Sequence, residues 1–421
     1  MTTKISVVKN TFKNITILLA VIFCKMSYSG ESTISTNGGY SGEVLKVTNL
    51  KSSGPGSLKS ALQYQKPRTI VFEVGGVIDL NGNSITIEHP FVSIEGQTAP
   101  YPGITIIKGS IIIQTNDVIV KHLSVRPGDR NLRAPSYWEP DGIAIIGGNA
   151  SNVVIDHCSV SWAIDENISI SGPRTKGSKA TASNVLISNT IISEGLNNSL
   201  HTRGPHSKGI LVHDFVKNVI ITNNLFISNA KRNPYFKAQT TGIISNNIIY
   251  NPETAAIQLG YREKEFNNTK YIPREPIVST TGNILIHGTD TLEKLPIISG
   301  KGLAYTFENQ TIDEEGKKIK TLGPSITRLK SPPFINQDIV FVTNNELEKY
   351  IIKNVGSQPW NRNSIDLRII DSFKNRNSSI INSQESVGGY PKYKSTYRGI
   401  KVPEEGLMTW LKSFERKDGV H

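Results

Sequence analysis

The segment that decides the fold reads VVIDHCSV at residues 153–160, where apolar and polar side chains alternate up to a histidine. Three more copies of this pattern stand at residues 118–125 (VIVKHLSV), 185–192 (VLISNTII) and 219–226 (VIITNNLF). Alternation at a period of two predicts a strand with one buried face, and a polar residue at a constant offset marks a turn into a second short strand. The repeat therefore predicts a stack of similar coils.

The polar position of the repeat forms a column whose members are 35, 32, 34, 23 and 37 residues apart: His122, His157, Asn189, Asn223, Asn246 and Asn283. A β-solenoid accommodates such variation in its loops, whereas a helical repeat would not. We therefore predict an all-β fold, a right-handed parallel β-helix with an N-terminal cap. The column residues are expected to stack at successive turns and to hydrogen-bond to one another and to the backbone.

The chain is expected to divide into three parts. Residues 1–29 have the pattern of a secretory signal peptide, because lysines precede a short apolar run and small residues follow it. Residues 30–300 are expected to form the β-helix, with a short capping helix at 58–62. Residues 301–421 have lost the repeat and are expected to form loops and a cap along the solenoid, including a helix at 345–352.

The signal predicts a secreted or periplasmic protein. A surface lipoprotein attached through Cys24 is the less favoured alternative, since the bulky Phe23 precedes that cysteine. The apolar run is shorter than the roughly 20 residues of a membrane span, so no stable span is expected. Once the signal is removed, Cys158 is the only cysteine left, and it is expected to be buried as an apolar filler.

The charge of the chain favours an acidic partner, because its formal net charge is +12. Nucleic acid is disfavoured, since the sequence has neither a basic helix nor an aromatic-basic RNA motif and export is expected. An acidic polysaccharide fits better, and we expect the protein to act on it as a monomer.

Long insertions interrupt the repeat at residues 127–140, 171–183 and 194–209. All three are expected to leave the same side of the stack. They therefore predict a groove on that side, which is where a binding site could be built.

Charged residues cluster around the predicted groove. Asp141 begins a strand, and Asp165 and Glu166 follow the strand at 153–160. Cations stand on a neighbouring coil, at Arg232 and Lys237. Several carboxylate oxygens suit Ca²⁺ better than Zn²⁺, which prefers His or Cys ligands. The alternative is that Asp165 and Glu166 are only solvated surface charges.

Three ordered motifs carry a family resemblance: PDGIAI at 140–145, VVIDHCSVSWAIDENIS at 153–169 and NLFISNAKRNP at 224–234. Together they resemble the pectate lyases of polysaccharide lyase family 1, over most of residues 68–290. The resemblance implies a parallel β-helix that cleaves de-esterified polygalacturonate by β-elimination into unsaturated oligogalacturonides. It also implies Ca²⁺ as the cofactor.

The resemblance implies which acids bind the metal. Family ligands fall on Asp141 and Asp165, with Glu166 as an alternative or additional ligand. A further family aspartate falls on Ser169, so one ligand is replaced here. Asp156 either faces the groove or holds the turn.

The resemblance also implies a catalytic arginine at Arg232, with a basic companion at Lys237. Arg232 would remove the C5 proton of the sugar, which becomes acidic when metal and cations neutralise the adjacent C6 carboxylate. Because an ordinary guanidinium has a pKa above about 12, activity is expected to favour alkaline pH. A family lysine has no match at 196–198. Three nearby residues are candidates for its carboxylate-binding role: Arg203, His206 and Lys208.

Other functions stay open at this stage. A pectin lyase would dispense with calcium, and a lyase could also act on another uronate polysaccharide. A non-catalytic β-helix that binds glycans is favoured by Ser169 and by the unmatched lysine. A polygalacturonase is disfavoured, because it hydrolyses through paired carboxylates and its signatures are absent.

Overall fold

The structure, a computed structural model, describes residues 34–132 and 136–415. In these residues the chain winds through three sheets, which we name I, II and III, and successive coils pair in parallel. A coil contributes a strand to sheet I, then to sheet III, then to sheet II. The predicted right-handed parallel β-helix is confirmed.

Strands are numbered along the chain. Sheet I contains β1 (Glu43–Val47), β2 (Arg68–Phe72), β5 (Val92–Glu95), β8 (Val118–Lys121), β11 (Ser151–Asp156), β14 (Ser183–Ser188), β17 (Lys217–Thr222), β20 (Thr241–Ser245), β23 (Ile277–Thr281), β26 (Gly302–Phe307) and β28 (Ile326–Arg328). Sheet II contains β4 (Ile85–Ile87), β7 (Ile111–Ile113), β10 (Ile143–Ile146), β13 (Glu166–Ser171), β16 (Lys208–Val212), β19 (Tyr235–Phe236), β22 (Ile257–Leu259) and β25 (Ile298–Gly300). Sheet III contains β3 (Val74–Asp79), β6 (Ile104–Ile107), β9 (Leu123–Arg126), β12 (Ser159–Ser161), β15 (Ile191–Ser193), β18 (Leu225–Ile227), β21 (Ile248–Tyr250), β24 (Ile284–Ile286), β27 (Gln310–Ile312) and the antiparallel β29 (Thr396–Tyr397).

The α-helices are α1 (Leu58–Leu62), α2 (Asn344–Asn354), α3 (Ser364–Lys374) and α4 (Leu407–Ser413). Short 3₁₀ turns lie at Gly96–Thr98, Arg174–Lys176, Ser178–Ala180, Glu263–Phe266 and Gln384–Val387. The helix predicted at 58–62 is confirmed at those bounds, and the one predicted at 345–352 is slightly longer. Among the described residues, no helix is both long and apolar enough to cross a membrane.

The core is built from apolar residues that stack in register on neighbouring coils. Val153 of β11 lies opposite Val118 on one side and Val185 on the other, and all three are fully buried. Cys158 is fully buried as well, which confirms its role as an apolar filler. Each coil thus covers the apolar interior of its neighbour, and the stack as a whole forms one continuous core.

The predicted column of turn residues is confirmed for five of its six members, which share a left-handed backbone with φ between 47° and 58°: His122, His157, Asn189, Asn223 and Asn246. The sixth was predicted wrongly, because the left-handed residue of that copy is Gly282 and Asn283 follows it. Asn is the non-glycine residue best suited to that conformation, which explains its recurrence. The rings of His122 and His157 stack with their centroids 5.0 Å apart.

The hydrogen-bonded asparagine ladder was predicted wrongly by one residue at Asn223 and Asn246, and correctly at Asn283. It runs through Asn224, Asn247, Asn283 and Asn309, where each side-chain Nδ2 donates to the next Oδ1 over 3.0, 2.9 and 2.8 Å. The cause is the corner geometry: the left-handed residue ends one strand, and the side chain that follows it turns into the interior. Asn224 is accordingly fully buried.

The ladder should contribute more to stability than the turn column beside it. Asn247→Ala would leave donors and acceptors of Asn224 and Asn283 unpaired in the interior, so we expect the free energy of unfolding to fall by about 2–3 kcal/mol. Asn223→Gly keeps the left-handed turn accessible and should cost only a few tenths of a kcal/mol. Urea unfolding followed by circular dichroism compares the two variants. Equal losses would mean that the ladder carries no special weight.

The solenoid continues beyond the boundary predicted at residue 300. Strands β26, β27 and β28 extend the sheets to Arg328. The column pattern does not predict this copy because Glu308 occupies the left-handed position, where the copies from His122 to Asn246 have His or Asn, although Asn309 continues the ladder. Further along, α2 and α3 pack on sheet III through a second apolar cluster that includes Leu347, Ile369 and Phe373.

The long insertions do not all leave one side, and that prediction was wrong for 171–183. The segments at 127–140 and 194–207 connect sheet III to sheet II, whereas 171–183 connects sheet II to sheet I. The insertions therefore border sheet II along both of its edges. The predicted signal peptide at 1–29 lies outside the described residues.

Candidate active site

Three carboxylates converge where strands of sheet II begin. Asp141 lies just before β10, and Asp165 and Glu166 lie at the start of β13, which pairs with β10. One carboxylate oxygen of each lies within 4.8 Å of the others. Asp141 is held in place because its carboxylate accepts the Glu166 backbone N–H at 2.9 Å and the Ser169 hydroxyl at 2.5 Å. We call these three acids the carboxylate cluster.

Two cations from the next coils face the carboxylate cluster. Lys208 begins β16 in register with Glu166, and its Nζ lies 2.8 Å from Asp165 and 3.5 Å from Glu166. The Lys208 side chain is only 4 % exposed. Arg232 lies on the following coil, and its guanidinium donates directly to Glu166. The arrangement is an ion-pair network in which the acids lie on two neighbouring coils and the cations on the next two.

Burial and charge change the pKa values of this network. Burial, with a further contribution from the Asp165 charge, raises the pKa of Asp141 to about 7. Burial also opposes ionisation of Asp165, but the nearby Lys208 ammonium outweighs it and the pKa of Asp165 falls below its ordinary value. Burial lowers the pKa of Arg232. The network therefore holds one carboxyl that is readily protonated beside one that is firmly ionised.

A loop places two imidazoles on the other side of Asp165. The Nε2 atoms of His201 and His206 lie 3.7 and 3.6 Å from its two oxygens. Glu139 lies 3.5 Å from His201 Nε2. Sequence reasoning missed His201 and Glu139, although both fall in insertions that it expected to border a groove. Nothing in their local pattern predicted that these two loops meet.

Lys237 belongs to a second cluster of charges. Its Nζ lies 2.5 Å from Glu265 and 3.4 Å from Asp214, and Arg174 pairs with both acids. The Tyr235 ring contacts the Arg232 guanidinium, with 5.7 Å between Cζ and the ring centroid. The charge of Lys237 is thus partnered by its own acids, and its predicted catalytic role remains a prediction.

The remaining predicted residues differ in whether they contact the carboxylate cluster. Of the candidates for the missing lysine, Lys208 is the one in contact with two of the acids, while the Arg203 side chain is 75 % exposed and 3.9 Å from Asp165. Asp156 holds a turn on the corner between sheets I and III, where it bonds to His157 and Asn189. Of the two roles predicted for Asp156, facing the groove or holding the turn, these contacts favour the turn.

The fold and the charged face of sheet II define a class of protein, the parallel β-helix proteins with an acid-and-cation site on one sheet. Solved structures support the fold: the cedar pollen allergen jun a 1 covers 76% of this chain and 90% of its own length with a TM-score of 0.53 at 16% identity. The thermostable pectate lyase PL 47 covers 76% and 94% with a TM-score of 0.53 at 14% identity. At these identities the likeness concerns the fold alone.

Sequence relatives identify the family. A protein of Aspergillus flavus named "Probable pectate lyase C" is 30% identical over 367 residues, which are 84% of this chain and 78% of that protein. Its namesake in Emericella nidulans is 29% identical over 380 residues, 86% of this chain and 80% of that protein. No model of a protein family matches the chain. By these relatives the chain belongs to the pectate lyase family and is a polysaccharide lyase.

Proposed function

We propose that the chain cleaves de-esterified polygalacturonate by calcium-assisted β-elimination, with Arg232 as the base. The observation that carries the proposal is the carboxylate cluster of Asp141, Asp165 and Glu166 beside the cations Lys208 and Arg232. An acidic polymer needs cations to bind it, and the elimination needs charge neutralisation next to the proton that is removed. Both kinds of group are present on one face of the coil.

The carboxylate cluster fits Ca²⁺ as its ligand set. Three carboxylate oxygens that approach within 4.8 Å suit a hard cation. The pKa of Asp141 is raised by burial and then by the Asp165 charge, and a bound cation would favour the ionised form of both acids. Bound there, Ca²⁺ would neutralise the C6 carboxylate of the substrate and so acidify the C5 proton. The cations Lys208 and Arg232 already offset part of the acidic charge, and Ser169 supplies no carboxylate. We therefore expect modest affinity.

The protein's own groups would act as follows. Lys208, held at the cluster by Asp165, adds positive charge for the substrate carboxylate. Arg232 accepts the C5 proton, and for this its guanidinium must leave Glu166, which stabilises the protonated form while the two are in contact. The electron pair left by the proton forms the C4–C5 double bond while the bond from C4 to the glycosidic oxygen breaks. The departing oxygen keeps that bonding pair and takes a proton from water, so it leaves as the hydroxyl of the other fragment.

A substrate panel tests this function. We expect the ultraviolet absorbance of the unsaturated product to grow with polygalacturonate and Ca²⁺, and to stay flat with a chelator. An absorbance increase with methyl-esterified pectin in the absence of calcium would indicate a pectin lyase. An increase with a different uronate polymer would change the proposed substrate. No absorbance increase with any of these polymers would overturn the proposal and favour a non-catalytic glycan binder.

Restoring the acid that the family has at Ser169 should strengthen calcium binding. The Ser169 side chain points at Asp141, so Ser169→Asp would add a fourth carboxylate to the cluster. We expect about ten-fold tighter Ca²⁺ binding, because affinity in such sites rises with the number of charged ligands. Without calcium the variant should melt at a lower temperature, since the added charge faces other acids.

Isothermal titration calorimetry with Ca²⁺ measures this effect, and differential scanning calorimetry measures the melting. Ser169→Asn is the matched control, because it has nearly the same shape without the charge. A control that gained as much affinity as Ser169→Asp would show that charge at this position is irrelevant.

We also propose export of the protein through residues 1–29, followed by action as a monomer. The support is the sequence pattern of that segment. N-terminal sequencing of the exported protein would test the cleavage point, and its native mass would test the monomer.

A further inference from the structure

Positive charge continues along sheet II beyond the cations that the proposed reaction uses. Lys231 directly precedes Arg232 and pairs in register with Lys208 on the neighbouring coil. Residues paired in register on parallel strands point to the same face of a sheet, so Lys231 lies on the outer face beside Lys208. Two lysines thus stand one coil apart, with about 4.8 Å between their strands.

The charge of Lys231 is not balanced as that of Lys208 is. Asp165 and Glu166 pair with Lys208, whereas no carboxylate among the residues that the structure describes forms an ion pair with Lys231. Burial lowers the pKa of Lys231, and the Lys208 charge lowers it further, while the charge of Glu253 acts in the opposite direction. Like charges on neighbouring strands are destabilising. This part of the outer face therefore lacks a negative group.

A third cation approaches the same surface from the following coil. Arg262 comes shortly after β22 and is exposed, and within the described ranges it has no carboxylate in ion-pair contact. Its charge adds to the burial and the Lys208 charge that lower the pKa of Lys231. Burial raises the pKa of Tyr235 to about 12 against the charges of Arg232 and Arg262. Arg262 is therefore within electrostatic reach of both Lys231 and Tyr235.

The surface between these cations has a flat ring and an amide. Phe236 and Leu259 are buried in the core, so Tyr235 and Gln258, which alternate with them along the strands, face outward. Tyr235 and Gln258 pair in register on β19 and β22. The side-chain oxygen of Gln258 has no hydrogen-bond partner, although it is buried. An acceptor in that condition is costly, and a ligand that donates to it would remove the cost.

We infer that this surface is a second carboxylate-binding subsite, which holds one uronate unit of the polymer beyond the point of cleavage. The carboxylate of that unit binds Lys231 and Arg262, and one of its hydroxyls donates to the Gln258 amide once that side chain turns outward. Tyr235 supplies a flat surface for the sugar ring. The subsite rests on the proposed function, because it takes the substrate to be an acidic polysaccharide.

The charges explain why the ligand is an acidic sugar rather than a neutral one. A neutral sugar would leave Lys231 and Arg262 without a counter-charge, whereas a guanidinium binds a carboxylate through two parallel N–H groups. A polymer with a carboxylate on each unit can occupy this subsite and the cations at the carboxylate cluster together. Linked contacts of this kind strengthen binding more than either contact does by itself.

The test is the binding of saturated hexagalacturonate to the metal-stripped protein, measured by isothermal titration calorimetry at low ionic strength. The double variant with Lys231→Gln and Arg262→Gln should raise Kd about ten-fold, since it loses two charge-assisted contacts. The matched control is Lys264→Gln, which removes one positive charge at an exposed position in the same loop as Arg262 and should leave Kd unchanged. Methyl-esterified hexamer should bind the wild type and the double variant equally, because it carries no carboxylate.

Arg262→Gln by itself keeps the inference testable if the double variant misfolds, because Arg262 is exposed. It should weaken binding of the hexamer about three-fold. Three results would overturn the subsite: undiminished affinity in a folded variant, an equal loss in the Lys264→Gln control, or no binding by the wild type. The assay contains no calcium and detects no product. A protein that shows the expected binding but does not cleave would therefore contradict the proposed function and leave the subsite standing.

Discussion

Arg232→Lys should lower kcat on polygalacturonate by about 10²–10⁴-fold, the range associated with loss of a positioned general base. Lysine keeps the positive charge but is shorter and lacks the planar fork that contacts Glu166. Substrate attraction would therefore persist, and KM should change little. The measurement is the initial rate of unsaturated product formation at saturating Ca²⁺. An unchanged rate would remove Arg232 from the chemistry.

The control and the pH profile sharpen this prediction. Arg328→Lys makes the same exchange on β28 at the end of the solenoid, and its rate should equal that of the wild type. A base must be unprotonated to act. Burial lowers the pKa of Arg232 from a high ordinary value, so the rate should rise as the pH becomes alkaline. A rate that peaks under acidic conditions would point to a different base.

Asp366→Asn should lower the free energy of unfolding by about 3–5 kcal/mol, because it leaves a buried charge without its partner. Asp366 of α3 lies 2.6 Å from Arg126 of β9, and neither side chain is exposed. The carboxylate also accepts the hydroxyls of Ser159 and Ser357. This one acid therefore connects the C-terminal helices to the solenoid.

Urea unfolding of the purified variant measures that loss. Asp371→Asn is the matched control on the same helix, since Asp371 is 60% exposed and 3.5 Å from Lys374. An exposed pair contributes little, so the control should change stability by less than about 0.5 kcal/mol. Equal effects of the two substitutions would mean that α3 is not anchored through Arg126.

Much of the fold could be predicted because residues close together in the sequence specify each strand and turn of the repeat. The alternation of Val and Ile specifies strands, and the left-handed turn selects His or Asn at one position, as at His157 and Asn223. The offset of the hydrogen-bonded ladder could not be predicted. Asn223 and Asn224 are adjacent and chemically identical, and only the corner geometry turns the second one inward.

The acids of the site were predictable for a similar reason, because Asp141 and Asp165 begin strands that the repeat places side by side. The contact of Lys208 with Asp165 depends on how a long insertion returns to the sheet, which strand periodicity does not determine. His201 and Glu139 come together only through packing between two insertions. The contacts between side chains on different loops were thus the part of the site that could not be predicted from the sequence.

We expect the carboxylate cluster to bind a cation without which the polymer is not cleaved. The most direct measurement is product absorbance from metal-stripped protein on polygalacturonate during titration with Ca²⁺, for the wild type and for Asp165→Asn. We expect no product before Ca²⁺ is added, a saturable rise in the wild type, and a rise displaced to much higher Ca²⁺ in the variant. Full activity in the presence of a chelator, or identical titrations of the two proteins, would contradict the claim.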